Sequence, residues 1–185
     1  MGWGPPLETQ RRLALLTALA VLATAWAIAA GGRGVTAIAT AASVGASAPH
    51  SSVTTCPFPS PLRPAFTTAA RDTGLPPALL YAVAKVESNL SQDAESAAGA
   101  RGLLQVMPAT AQALELDAAE ADSNVLAGAR YLRQMLNQFG TTDLALAAYN
   151  AGPTAVARAG GAPSEDVLRY VANVNVIWHA HTGCR

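Results

Sequence analysis

The chain has 185 residues, of which 51% are hydrophobic and only 13% charged, and its net charge is zero. That balance offers no basic surface to a nucleic-acid backbone, so a nucleic-acid partner is not expected. The apolar fraction would suit a membrane protein, but only one run is long enough to span a bilayer, and the length suits one ordinary domain plus an extra segment.

That run is Leu13–Ala30, uncharged and directly after Arg11 and Arg12. A basic start, an apolar middle and small residues afterwards make the layout of an export signal. Ala-x-Ala sites ending at Ala29, Ala39 and Ala41 offer several cleavage points. At about 18 residues the run also approaches the length of a membrane anchor. Either way, residues 1–30 place the rest of the chain outside the cytoplasm, secreted or held at the cell envelope. Residues 31–61 are rich in Gly, Ala, Ser, Thr and Pro and show no apolar period. They read as a linker, flexible at first and stiffer towards Pro57, Pro59 and Pro61.

The two cysteines stand at either end of the remaining segment, at Cys56 and Cys184. In an exported protein such a pair is expected to be a disulfide, here joining the domain's two ends. Closing so long a loop is worth about 4–5 kcal/mol in the chain-entropy model. The alternative is a metal held by His179, His181 and Cys184, although His-x-His on a helix aims its rings to different sides and no fourth ligand is evident. No metal and no cofactor is expected.

Residues 62–185 read as helix after helix. One runs from Pro64 to Thr73 and stops at Gly74. Pro76 and Pro77 open the next, which carries Glu87. A short helix spans Pro108 to Leu116. Asp122 or Ser123 caps a longer one that ends at Gly140, with Val125, Leu126, Ala129, Leu132, Leu136 and Phe139 on one face. Thr142 caps Asp143–Tyr149, Pro153 starts another short helix, and Ser164 caps the last, which reaches about Trp178. No strand alternation is visible. The reading is an all-α domain of about 120 residues with a single core.

Within it, residues 79–108 hold the chemistry. Leu80, Val83 and Ala84 precede Glu87 at helical spacing and Leu90 follows it, so the carboxylate lies on the apolar stripe. Lys85 sits about 200° around the helix, badly placed to neutralise it. Burial would raise the carboxyl pKa and keep the proton that a general acid needs near neutral pH. The competing reading puts Glu87 at the edge of the stripe, in water. A polar loop follows, then Gly99-Ala-Arg-Gly102, where backbone is held close to something. Gln105 is the one polar side chain in the run Leu103–Met107, which Pro108 ends by starting a helix. A glutamate facing such a run could make two sides of a groove.

Four blocks in order carry a resemblance: Glu87-Ser88; Gly102-Leu-Leu-Gln-Val-Met-Pro108; Asn124, Gly128 and Tyr131-Leu132; and Ala148-Tyr-Asn-Ala-Gly152. Over about residues 62–175 the chain resembles the catalytic core of the soluble lytic transglycosylases, relatives of goose-type lysozyme. The resemblance implies a lysozyme-like helical fold and peptidoglycan glycan strands as substrate. It further implies cleavage between N-acetylmuramic acid and N-acetylglucosamine with one glutamate, Glu87, as acid and then base, yielding a 1,6-anhydro sugar. Ser88 would hydrogen-bond near the catalytic centre, Gln105 would contact the sugar, Met107 would line the groove, and Tyr149 and Asn150 would close its opposite side. Tyr170 would hold the glutamate. Beside Tyr170 the family's Glu-Thr becomes Asp166-Val167 here.

Read without the resemblance, Tyr149 at the end of an alanine-rich helix is a core residue with its hydroxyl at the surface. Ser88 could equally satisfy its own helix end. Two other functions stay open. A lysozyme-like hydrolase needs a second carboxylate, for which Asp93 or Glu95 would have to cross the groove. A non-catalytic peptidoglycan-binding module would have no need of a buried acid. The residues do not identify any cell-envelope machinery as partner.

Overall fold

The computed structural model describes residues 55–184. The export signal or anchor, and the linker as far as residue 54, lie outside the described residues. Within them the chain forms seven helices: α1 Arg63–Thr73, α2 Pro77–Ser88, α3 Pro108–Ala113, α4 Ala121–Phe139, α5 Thr142–Ala151, α6 Pro153–Ala159 and α7 Glu165–Ala180. Proline opens α1, α2, α3 and α6, where a missing N–H costs nothing.

Three boundaries differ from the sequence reading. Neither Asp122 nor Ser123 caps α4, which begins two or three residues earlier, after Glu120. The Ser123 hydroxyl instead accepts the Asp117 N–H at 2.8 Å, tying the preceding turn to the helix. Thr141 rather than Thr142 caps α5, accepting from the Leu144 N–H. The short helix stops at Ala113 rather than Leu116, because Glu115 is left-handed (φ 58°). The Leu116 N–H then returns to the Ala111 carbonyl at 2.9 Å and closes the last turn. Ser164 caps α7 as expected.

The core is built on two apolar helices. In α2, every residue from Ala78 to Ala84 is buried; in α5, every residue from Ala145 to Tyr149. A helix apolar all round goes inside, so the stripe expected on α2 is part of a fully enclosed segment. Around these two helices, α7 packs on both, and α4, the longest, packs on α1, α3 and α5. Only the last turn of α2, from Lys85, emerges from the core. Two consecutive left-handed residues, Asn89 (φ 53°) and Leu90 (φ 65°), then turn the chain back. Glu87 therefore stands where α2 leaves the interior.

Packed chain begins inside the expected linker. Cys56 and Phe58 are both buried. The Phe58 ring stacks on Phe66 at 4.2 Å and meets the edge of Tyr81 at 5.4 Å. A single phenylalanine among prolines carries no period, so nothing in the sequence marked it as core. Cys56 is bonded to Cys184, 128 positions away, with 4.7 Å between their Cα atoms. The Cys184 sulfur is thus unavailable to a metal. His181, the other principal candidate ligand, has Nδ1 2.8 Å from the Ile177 carbonyl oxygen. The alternative metal site at His179, His181 and Cys184 is excluded by the disulfide, which takes its only thiolate. Among the described residues, no helix is long and apolar enough to cross a membrane.

The disulfide staples the Pro-rich lead-in to the end of α7. Replacing both cysteines by serine is expected to cost about 2–5 kcal/mol, read as a lower urea midpoint, and a reductant should reproduce the loss in the parent protein.

Candidate active site

Glu87 lies in the last turn of α2 and is partly buried. Tyr170 reaches it from α7, donating its hydroxyl to Glu87 Oε1 at 2.7 Å. The pattern of α7 places it there: Val167, Tyr170, Val171 and Val174 form the buried stripe that packs on α2 and α5. Desolvation raises the Glu87 pKa from 4.5 to about 7, opposed by the Tyr170 hydrogen bond, which favours the carboxylate. Burial, and then the neighbouring Glu87 charge, push the Tyr170 hydroxyl well above the usual phenol range, so it stays a donor. Lys85 is exposed and donates to the Asn89 side chain, leaving Glu87 without a cation on its own helix.

The run after the polar loop is gripped from three helices. The Ser88 hydroxyl faces the Leu103 carbonyl at 2.8 Å and its own helix's Ala84 carbonyl at 3.1 Å. Asn124 of α4 is buried. Its Oδ1 accepts the Leu104 N–H at 2.9 Å, while its Nδ2 donates to Arg101 O at 2.7 Å and Ala118 O at 2.9 Å. The Tyr149 hydroxyl of α5 donates to the Leu104 carbonyl at 2.7 Å. Both sides of Leu104 are therefore clamped by buried side chains. Gly102 and Gly128 permit this approach: a Cβ on Gly102 would stand 2.5 Å from Asn124 Nδ2, and one on Gly128 would stand 2.5 Å from Leu104 Cβ.

Beyond the clamp, Gln105 adopts a left-handed backbone (φ 44°). Its amide donates to Ala94 O at 3.0 Å and Gly102 O at 2.9 Å. Gln105, Met107, Thr110, Tyr131, Tyr149 and Asn150 line a cavity of about 230 Å³. Glu87 is outside this lining, but its charge reaches Tyr149, whose hydroxyl is raised first by burial and next by the Glu87 charge. The arrangement can donate a proton from a carboxylic acid beside a pocket with polar walls, at neutral pH.

The Transglycosylase SLT domain family matches residues 64–167, more than half of the chain. The chain belongs to this family. The transglycosylase of Enterobacteria phage PRD1 is 33% identical over 111 residues, which cover 60% of this chain and 42% of that protein. The soluble lytic murein transglycosylase of Salmonella typhimurium is 32% identical over 108 residues, 52% of this chain and 17% of the relative. An inactive mutant of the lytic transglycosylase Slt from Pseudomonas aeruginosa superposes with a TM-score of 0.56 at 29% identity, covering 66% of this chain and 25% of that one. The 70 kDa soluble lytic transglycosylase of Escherichia coli gives a TM-score of 0.55 at 25% identity, with coverages of 66% and 24%. The all-α, lysozyme-like fold is thereby established, while the chain spans less than half the length of these curated relatives.

In this SLT domain, Gln105, Met107, Tyr149 and Asn150 come together around one cavity, and Glu87 meets Tyr170. Met107 is 41% exposed, a wall residue rather than a core one. Ser88 binds backbone, and the Gln105 amide nitrogen is spent inside its own loop. The Tyr149 hydroxyl points inward to Leu104, not to the surface as its helix pattern alone implied. Asp166 is exposed and paired with Arg169, and Val167 is buried. The contact between Tyr170 and Glu87 is made despite both departures. Asp93 and Glu95 are exposed, and Glu95 pairs with Arg101 at 3.4 Å. Sequence reasoning assigned no role to Asn124, Gly128 or Tyr131. Their signal was the spacing of four and then three residues, which puts all three on one face of α4.

Asn124→Ala should leave the Leu104 N–H and the Ala118 carbonyl without their partner, while the Arg101 carbonyl keeps the Val106 N–H at 2.9 Å. A loss of about 1–3 kcal/mol per group left unpaired is expected in denaturant titration, reduced where water enters. Glu87 supplies a second test. The folded carboxyl keeps its proton up to about pH 7 and the ordinary one only to 4.5, so its contribution is complete below 4.5 and is lost as pH rises through 7. Glu87→Gln should therefore gain on the parent by up to about 3 kcal/mol between pH 4 and 8, measured as the difference in urea midpoints, with water in the groove lowering the figure.

Proposed function

We propose that the protein is a peptidoglycan lytic transglycosylase. It cleaves the β-1,4 bond between N-acetylmuramic acid and N-acetylglucosamine and leaves 1,6-anhydro-N-acetylmuramic acid. The observation that carries this reading is one half-buried carboxyl, Glu87, with its pKa near 7 and a tyrosine hydroxyl at 2.7 Å, beside an open cavity. The names of the relatives point the same way, and the inactive Pseudomonas aeruginosa enzyme carries a single glutamate-to-glutamine change.

In this mechanism Glu87 begins protonated and gives its proton to the glycosidic oxygen as the bond to the anomeric carbon breaks. The resulting carboxylate then takes the proton of the sugar's own 6-hydroxyl, whose oxygen closes on the anomeric carbon. The nucleophile is intramolecular, so water is not consumed and no second carboxylate is needed. Tyr170 orients Glu87 and stabilises its ionised form between the two steps. Met107, Tyr149, Asn150 and the remaining amide oxygen of Gln105 shape the sugar pocket, and Ser88 acts through the Leu103 backbone. A hydrolase is less well supported, because Asp93 and Glu95 are exposed and Glu95 is engaged by Arg101. Residues 1–30, as signal or anchor, would deliver the domain to the cell envelope where this substrate lies.

Mass spectrometry of purified peptidoglycan digested with the protein tests the reading. Anhydro-muropeptides are expected, one water lighter than hydrolysed fragments and absent with Glu87→Gln. Reducing-end fragments would mean a hydrolase. Because the acid must enter protonated, kcat/KM should fall about tenfold per pH unit above roughly 7.

A further inference from the structure

Away from the sugar pocket, α1 and α4 leave a groove between them. It holds a cavity of about 230 Å³, with Pro64, Thr68, Ala69, Leu116, Asp122 and Leu126 in its walls. Asp122 and Leu126 stand roughly 120–180° around α4 from Asn124, Gly128 and Tyr131, the side that faces the loop and the sugar pocket. The two cavities share no lining residue. The volume is below the roughly 300–1,000 Å³ of a typical small-molecule site. It suits one large apolar side chain, the kind of anchor that one protein seats in another. We propose that this groove is a docking site for a cationic segment of a partner protein, with a leucine-sized side chain in the cavity and lysine or arginine beside it.

The charge around the groove selects that partner. Glu115, Asp117, Glu120 and Asp122 fall within eight positions, and all four are exposed. No lysine or arginine stands between Arg101 and Arg130 in the sequence. Among the described residues none of these four carboxylates is in an ion pair, whereas Asp72, Glu95 and Asp166 each have an arginine. The helix dipole accounts for Glu120 and Asp122, at the start of α4, but not for Glu115 and Asp117 in the turn before it. One helical turn beyond Thr68 and Leu126, Asp72 and Arg130 join α1 to α4 through two bonds of 2.9 Å. The uncompensated charge therefore lies at the Leu116 end, which is where the guest's cations belong. The turn there is fixed in advance. The Leu116 N–H binds the Ala111 carbonyl at 2.9 Å, the Asp117 N–H binds the Ser123 hydroxyl at 2.8 Å, and the Ala119 N–H binds the Asp117 carboxylate at 2.8 Å. A preordered surface loses less freedom when a partner arrives. A cationic guest relieves the repulsion among the carboxylates, and its apolar side chain gains burial.

Fluorescence anisotropy of the full chain with three labelled short peptides tests this: leucine among lysines, alanine among lysines, and leucine among glutamates. The lysine–leucine peptide should bind, and raising the salt from about 0.05 to 0.5 M should weaken it several-fold. Exchanging its leucine for alanine should cost about tenfold in affinity, and the glutamate peptide should not bind. Glu120→Lys with Asp122→Lys should weaken the lysine–leucine peptide at least about tenfold. Thr68→Trp fills the cavity from an exposed position on α1 and should erase the difference between leucine and alanine while leaving the salt dependence. Urea midpoints show which variants are folded, and if one is not, the other decides. Equal binding of the lysine and glutamate peptides, no binding of the lysine–leucine peptide, or binding untouched by the folded variants overturns the proposal.

Discussion

The peptide groups around Leu103 and Leu104 are held by Ser88 from α2, Asn124 from α4 and Tyr149 from α5, and most of the site depends on that grip. Backbone N–H and C=O groups taken out of water must find partners. Here the partners are side chains from three helices that the chain visits at widely separated positions. The loop cannot shift without breaking several of these bonds at once, and its residues face the cavity because its backbone is fixed. The two glycines that admit the approach, Gly102 and Gly128, are part of the same constraint.

The position of Glu87 follows from a different balance. Its helix is enclosed for seven residues and then emerges. A carboxylate one turn further back would be fully buried, at a large cost, and one turn further on would be solvated with an ordinary pKa. At the boundary, desolvation is strong enough to retain the proton near neutral pH, and Tyr170 limits the shift. The same hydrogen bond that lowers the pKa also orients the group. Desolvation thus sets most of the acidity, one contact between α2 and α7 moderates it and aims the group, and α7 is itself tied by the disulfide to the start of the domain.

The two apolar helices explain why so small a domain can support this site. Both α2 and α5 are buried and rich in alanine, and α7 packs on both. The longer α4 then presents two faces. One carries Val125, Ala129 and Leu132 into the core, and the other carries Asn124, Gly128 and Tyr131 towards the loop and the groove. A single helix thereby links core packing to the cavity wall.

The sequence by itself determined the all-α class, the positions of most helices, the place of Glu87 on an apolar stripe, and the family blocks around it. These are local matters: proline and glycine punctuation, apolar spacing, and short motifs. Phe58, the start of α4, the cap of α5 and the inward turn of the Tyr149 hydroxyl were decided by tertiary structure. Each depends on a partner distant in sequence or on competition between neighbouring caps, and neither leaves a period to read. The same holds for Asn124 and Ser88, whose roles are hydrogen bonds to backbone 20 and 15 positions away. A polar residue on a helix announces that it needs partners; only the packed fold supplies them, because burial is what makes an unmet hydrogen bond costly.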